Sequence, residues 1–388
     1  MRLHLILPRV EPTQITPPAQ CPYPGCQGTH FRLHQEVAKS IQDSVYACVT
    51  AHRYECLRCH RTFRVYPRGV TRDQKSQRVK GLAVLLYLLG LSYGAVSLTL
   101  EALGVYLCKS RVYDTVQAVA KRVPGLKRRE VFEGVRTPAL GSDVTSVKCH
   151  GRWLPLGLTV DALTGLVLSV DELSGEDAET LQAWIAPIAE AVGAEVLVTD
   201  DADAFKRVAD ELGLGHQVCK SHVQRNTESL IEDLRETAVR DADGSLATIG
   251  VSPEQAVADL KRLEELIRTR QPAQEAELGM LYRRYLGAAP PAPGERASIA
   301  YRLRLLFLDR WNLWPRLTYY RAWRGPGGET LDGTNNAAER SIGWWIKERY
   351  RTMRGYKRPE SAVHVSRLLA WAGNLLNRGG ADLAQLFA

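Results

Sequence analysis

Glu195-Val196-Leu197-Val198-Thr199-Asp200 is a short, almost wholly apolar run that ends on a carboxylate. Such a run suits a strand buried on both faces, and an acid at its C-terminal end points out of the sheet. The residues before it read as three successive strands, Asp143 to His150, Arg152 to Val160 and Leu166 to Leu173. The turn Asp161-Ala162-Leu163-Thr164-Gly165 joins the second to the third. Between them and the 195–199 run, Asp177 to Val192 carries Ala178, Leu181, Trp184, Ile185 and Ile188 at helical spacing. After Asp200 come a helix from Ala202 to Leu212 and a fifth strand around His216 to Cys219. A late helix opens in Thr334-Asn335-Asn336-Ala337-Ala338-Glu339-Arg340, where Asn336 and Glu339 have the spacing of a capping box.

With that late helix as last element, the order βββαβαβα predicts an α/β, ribonuclease-H-like catalytic domain. Its first and fourth strands are neighbours, which brings Asp143 close to Asp200. Taken singly, each acid has an ordinary structural explanation: Asp143 starts a turn, Asp200 caps the next helix as Asp201 or Asp203 can, and Glu339 bonds back to its cap. Taken together, acids on the first strand, the fourth strand and a late helix form a set suited to two Mg²⁺ ions, with Mn²⁺ as a substitute. Hard oxygen ligands suit such ions, and a pair ~3.5–4 Å apart can activate a water or hydroxyl and stabilise a leaving oxygen. Asp201 is the alternative second acid. No serine or tyrosine nucleophile motif competes with the carboxylates, and no Gly-rich phosphate loop suggests ATP use.

The chain has 388 residues, 45% hydrophobic and 24% charged, enough for two to four domains with sizeable cores and too apolar for a disordered protein. Lys and Arg number 51 against 43 Asp and Glu, a net charge of +8 that favours a polyanionic partner. The opening Leu3-His4-Leu5-Ile6-Leu7 is too short for a signal peptide, so the expected location is the cytoplasm, on the nucleoid of a bacterium or archaeon. Gly81 to Leu100 is uncharged, but Gly90, Ser92, Gly94 and Ser97 break it into two short helices rather than a membrane span.

Residues 1–20 are Pro-rich and read as a flexible or extended leader. Cys21 and Cys26, then Cys56 and Cys59, form two thiolate pairs that can share one tetrahedral, structural Zn²⁺, predicting a zinc ribbon over 21–70 with strands at 45–49 and 62–66. His30, His52 and His60 are alternative ligands. The region 71–130 reads as a helix-turn-helix DNA-binding domain, with Gly104-Val105 in the turn and Ser110 capping the second helix. That helix presents Arg111, Tyr113, Asp114 and Gln117 to a major groove, unless the pair is an ordinary αα-hairpin. Lys121 to Arg129 is a basic linker. The catalytic domain spans 135–225 and 331–375, interrupted by a helical insertion at 226–330. Trp311, Trp314 and Trp323 read as core, with stacking on a displaced nucleotide as the alternative. Trp344 and Trp345 are expected to pack their helix beside Ile342 and Ile346.

Several segments together resemble the DDE-type transposases of insertion sequences, especially the Mutator-like branch. They are Asp143 in the first strand, Val198-Thr199-Asp200, Cys219-Lys220-Ser221-His222 followed by Arg225-Asn226, Thr334 to Arg340, the basic run Lys347 to Gly355, and the N-terminal ribbon with its helix-turn-helix. They cover most of residues 21–375. The resemblance implies binding of double-stranded DNA at terminal inverted repeats, then metal-dependent cleavage and strand transfer into target DNA. It gives Asp143, Asp200 and Glu339 to the metals, and Cys219 and His222 to orienting the DNA or the metal site, unless these two are simply a buried thiol and a helix-start histidine. Arg340, Lys347, Arg349, Arg351, Arg354, Lys357 and Arg358 would meet phosphates. Pairing two DNA ends implies at least a homodimer. Asp201 departs from the small residue that often follows the second acid. The rival readings are a non-catalytic DNA-binding regulator derived from a transposase, and a ribonuclease-H-like nuclease that cuts without joining.

Overall fold

The structure, a computed structural model, describes residues 4–123, 135–353, 356–377 and 380–387. β1 (His4–Ile6) pairs in parallel with Gly380–Asp382 near the other end of the chain. Pro8 then lies against Gly81, where a Cβ would sit 2.6 Å from its Cδ, and the Glu11 N–H donates to the Arg68 carbonyl at 3.0 Å. The leader is therefore anchored over residues 4–11 rather than free. β2 (Phe31–Ser40), β3 (Cys48–Cys56) and β4 (Thr62–Val65) form a three-stranded antiparallel sheet. β4 lies where a strand was expected, β3 runs from Cys48 to Cys56 rather than over 45–49, and β2 was not foreseen, because its side chains are mostly exposed and show no apolar face.

Three helices follow. Ser76 caps α1 (Gln77–Leu88) and Ser92 caps α2 (Tyr93–Ala102), each accepting a backbone N–H three residues on at 3.2 Å. Gly104, at φ +77°, makes the turn into α3 (Lys109–Arg122), which starts after Cys108, leaving Ser110 inside the helix. These helices are not a module with a core of their own. Tyr87, Leu100, Val112 and Val116 share one core with Val147, Leu156 and Leu158 of the central sheet and with Ile342, Ile346 and Leu368 from the C-terminal helices.

The central elements are β5 (Ala139–Cys149), β6 (Arg152–Asp161), β7 (Val167–Glu172), α4 (Ala178–Val192), β8 (Val196–Thr199), α5 (Asp203–Glu211) and β9 (Gly215–Val218). The strands lie in the order β7-β6-β5-β8-β9, antiparallel among the first three and parallel from β5 to β9, so the sheet is mixed. All four residues of β8 are buried, as its composition requires. One face of the sheet packs against α4 and α5 through Leu140, Leu168, Leu181, Ile185, Leu197 and Phe205, and the other faces the core shared with α1 to α3.

α6 (Lys220–Arg240), α7 (Ser245–Thr248), α8 (Pro253–Arg268), α9 (Gln274–Arg284) and α10 (Ile299–Leu317) make a helical body around Leu260, Leu263, Leu278, Tyr285, Leu303 and Phe307. The chain then returns to the sheet through α11 (Asn336–Ser341), a π-helical segment (Ile342–Lys347), α12 (Glu348–Met353) and α13 (Pro359–Asn377). α13 is pinned to β7: Asn374 bonds both backbone groups of Val167 at 2.8 Å, and Arg367 pairs with Asp171 at 2.7 Å. Among the described residues no helix is long and apolar enough to cross a membrane.

Candidate active site

Strand register puts the first two acids near the same end of the parallel pair. Gly141 of β5 is opposite Val198 of β8, where their pairing ends; Asp143 stays in the sheet opposite Leu158 of β6, and Asp200 directly follows the last residue of β8. The Asp143 carboxyl is pushed up to about 6, first by burial and then by the negative charge of Asp200, with Glu339 adding to it. The Val144 N–H and the positive character of His222 act the other way. Asp143 thus lies within reach of the charges of both Asp200 and Glu339, although the ligating atoms of the three carboxylates do not all lie within 4.8 Å of one another.

Glu339 lies in the first turn of α11, whose N-terminus is locked by a residue that sequence reasoning did not single out. Asn335 is 1% exposed; its Nδ2 donates to the Ser142 carbonyl at 2.9 Å and its backbone N–H to Cys219 Sγ at 3.3 Å. Asn335, not Asn336, is the cap residue, and it makes no side-chain cap bond. The expected capping box is therefore absent, and Glu339 turns toward Cys219 (3.7 Å to Sγ) and His222 (3.4 Å to Nδ1). Gly141 permits this approach of α11 to β5, since a Cβ there would fall 2.9 Å from both Asn335 Oδ1 and Val160 Cγ2. The only signal for this pair in the sequence was a glycine two residues before an acid, together with an Asn-Asn before a helix.

Cys219 is fully buried at the junction of β9 and α6. Its N–H donates to the Thr199 carbonyl at 2.7 Å, which ties the CysxxHis turn to the end of the strand that carries Asp200. The neighbouring acids differ in surroundings. Asp201 is ion-paired with Lys206 at 2.9 Å and faces the buried Arg310 at 3.6 Å, whereas Asp200 accepts the Ala202 N–H at 3.1 Å and acts on Asp143.

The cysteines foreseen as zinc ligands converge. Cys21, Cys26, Cys56 and Cys59 lie with all four sulfurs within 4.8 Å of one another, and the Cys21–Cys59 and Cys26–Cys56 separations are both 3.8 Å. A tetrahedral zinc with Zn–S of ~2.3 Å has S–S edges of ~3.8 Å, whereas a disulfide needs ~2.05 Å, so the donor set fits zinc. Gly28 allows the closure, because a Cβ there would lie 2.6 Å from Cys56 Sγ. His30, His52 and His60 stay outside the cluster, on Thr29, Tyr54 and Glu55 respectively.

The residues expected on DNA divide into two groups. Arg111, Arg340, Lys347, Lys357 and Arg358 are exposed. Tyr113 instead bonds Ser361 at 2.9 Å and meets Tyr93 edge-on, and Gln117 is 8% exposed, so both face inward as an extension of the valine stripe of α3. Arg349 is also interior: it donates to the Leu91 carbonyl at 2.6 Å and lies 3.9 Å over the Tyr87 ring, holding α12 to the turn between α1 and α2. Arg354, the 124–129 part of the basic linker, and the side chains of Arg351 and Trp345 lie outside the described residues. Trp344 is 73% exposed rather than packed. With Ile342 and Ile346 turned inward, a residue two positions from each falls on the opposite side of the helix. Trp314 and Trp323 are buried, and Trp311 stacks on Tyr282.

No family model and no curated protein matches the chain. Among solved structures it is similar to the catalytic core domain of HTLV-2 integrase in complex with magnesium, at 20% identity over 36% of this chain and 93% of that one, with a TM-score of 0.20. It is also similar to the catalytic core domain of BIV integrase, at 12% identity over 50% of this chain and 90% of that one, with a TM-score of 0.19.

Proposed function

We propose that this chain is a DDE transposase with a ribonuclease-H-like catalytic domain, which binds the terminal inverted repeats of an insertion sequence, cuts at them and joins them to target DNA. The observation that supports this best is that Asp143 is raised to about 6 by burial and by the negative charges of Asp200 and Glu339. Asp143, Asp200 and Glu339 would hold two Mg²⁺, which when bound supply an activated oxygen nucleophile and neutralise charge at the reacting phosphate. Asp200 is the second acid in this reading, because Asp201 is already paired with Lys206 and Arg310. The four-cysteine cluster would carry a structural zinc, and the chain would act as a homodimer or larger assembly on paired ends.

The chain's own residues set where the reaction occurs. Asn335 holds the start of the helix that carries Glu339 against the strand that carries Asp143. Arg340, Trp344 and Lys347, exposed on the helix that continues from Glu339, offer cations for phosphates and an aromatic face for an unstacked base. Water attacks the phosphorus at the element end and the 3′ oxygen leaves as a hydroxyl. That hydroxyl then attacks a target phosphodiester and displaces its 3′ oxygen, so no bond to protein is needed.

The test is excision and integration, in cells, of a marked DNA segment bounded by the sequences flanking the gene, with wild type against Asp200→Asn. Joined products from wild type alone are expected. Binding of the ends without movement by either protein would favour the regulator, and cutting without joining the nuclease.

A further inference from the structure

We propose that Cys219, His222 and Glu339 form a second metal site, selective for a borderline-soft divalent cation of the zinc class, and that it shares Glu339 with the acidic triad. The site itself stands on the side-chain cluster alone; only its consequence for catalysis rests on the transposase reading.

Three different donors meet here from two elements. Cys219 precedes α6, His222 lies in its first turn and Glu339 comes from α11, and their ligating atoms all lie within 4.8 Å of one another. For a tetrahedral ion with bonds of ~2.3 Å to sulfur, ~2.05 Å to nitrogen and ~2.1 Å to oxygen, the sulfur–oxygen edge is ~3.6 Å and the nitrogen–oxygen edge ~3.4 Å. The corresponding separations are 3.7 Å for Cys219 Sγ to Glu339 Oε1 and 3.4 Å for His222 Nδ1 to the same oxygen. The same construction accounts for the ribbon's sulfur–sulfur edges of 3.8 Å.

His222 Nδ1 is buried without a hydrogen-bond partner among the described residues, so its approach to Glu339 is proximity without a well-formed bond. A cation between the two would satisfy both. Burial pushes the Cys219 thiol up, and the Asn335 N–H that its sulfur accepts at 3.3 Å acts the other way, so the sulfur would bind as thiolate only as the metal displaces its proton. Three protein ligands leave a fourth position open, the form of a reactive or exchangeable site rather than a closed structural one. Sulfur and imidazole select zinc-class ions, whereas Mg²⁺ takes oxygen. Since Glu339 serves both sets, zinc at this cluster withdraws a ligand from the triad and opposes Mg²⁺.

The test counts metal and reads its ligands. Full-length protein with its ribbon loaded with zinc is titrated with Zn²⁺ and, separately, with Co²⁺, in wild type, Cys219→Ser and His222→Ala. The expected result is two zinc ions bound per wild-type chain and one in either variant. Co²⁺ should add a thiolate-to-metal charge-transfer absorption in wild type that Cys219→Ser lacks. His222 is partly exposed, so its variant keeps the test decisive if the buried Cys219→Ser misfolds. One zinc per wild-type chain, or a charge-transfer band that survives in Cys219→Ser, would overturn the site and leave a plain imidazole–carboxylate contact. Two zinc ions in a protein that moves no DNA would sustain the site while removing the transposase reading. In an active protein, zinc filling the second site should raise the Mg²⁺ needed for cleavage, and a chelator should reverse this.

Discussion

Asp143→Asn should stabilise the metal-free protein while abolishing its chemistry. The ordinary value for an aspartate is 3.8, and in the folded chain Asp143 is pushed up to about 6. The folded state therefore holds this proton more tightly than the unfolded chain does. Stability from this group is fully present below about pH 4, declines as pH rises from about 4 to about 6, and is constant above. A displacement of roughly two units corresponds to about 2 to 3 kcal/mol at pH 7. An amide keeps the shape and can still accept the Val144 N–H, yet removes the charge that faces Asp200 and Glu339. Urea denaturation of chelator-treated wild type and variant at pH 7 and pH 4 measures this directly, with buried Trp184 as a fluorescent reporter. The variant should gain about 2 to 3 kcal/mol at pH 7 and almost nothing at pH 4, while cleavage is lost. Equal gains at both pH values, or a loss at pH 7, would refute the idea that Asp143 is buried against the charges of Asp200 and Glu339.

The two adjacent acids should separate cleanly. Asp201→Asn removes the Lys206 ion pair and one of the two carboxylates beside the buried Arg310, which keeps Asp309 and Thr227, and should cost about 1 to 2 kcal/mol of stability while retaining some activity, whereas Asp200→Asn should abolish cleavage and leave the denaturation midpoint unchanged or raised. Gly141→Ala drives a methyl into Asn335 and Val160, and should cost about 1 to 3 kcal/mol and lower kcat by displacing Glu339, with DNA affinity intact by gel shift. Stripping the four-cysteine cluster with a strong chelator should release the ribbon's zinc and melt the ribbon, a loss on the order of 10 kcal/mol, visible as exchange of its backbone amides while the central sheet stays protected. Removing Lys357 and Arg358 together should lower the salt slope of DNA binding by about two, whereas Arg349→Ala should change stability instead, because that side chain is held by Leu91 and Tyr87.

The elements that carry the candidate site were legible in sequence because their determinants are local. The apolar run before Asp200 reads as a buried strand, and three strand signals precede it, with an acid on the first. The two cysteine pairs carry metal-ligand spacing in a few residues each. Faces were harder to read. Tyr113 and Gln117 looked like groove residues on a short amphipathic helix, but the surface that covers them includes Ser361, 248 positions away. Arg349 sits in a basic run and is nonetheless spent on a carbonyl 258 residues earlier.

The sequence by itself determined the order of strands and helices in the central sheet and singled out the three candidate acids and the four cysteines, because hydrophobic period, turn residues and ligand spacing act over a few residues. Only the tertiary structure decided that Asp200 rather than Asp201 faces Asp143, that Asn335 and Gly141 fit α11 against β5, and that His4–Ile6 pairs with Gly380–Asp382. It also decided that α1 to α3 share their core with the sheet. Each of these depends on which distant surface excludes water from a side chain, and a local pattern records that a face is apolar without recording what will cover it.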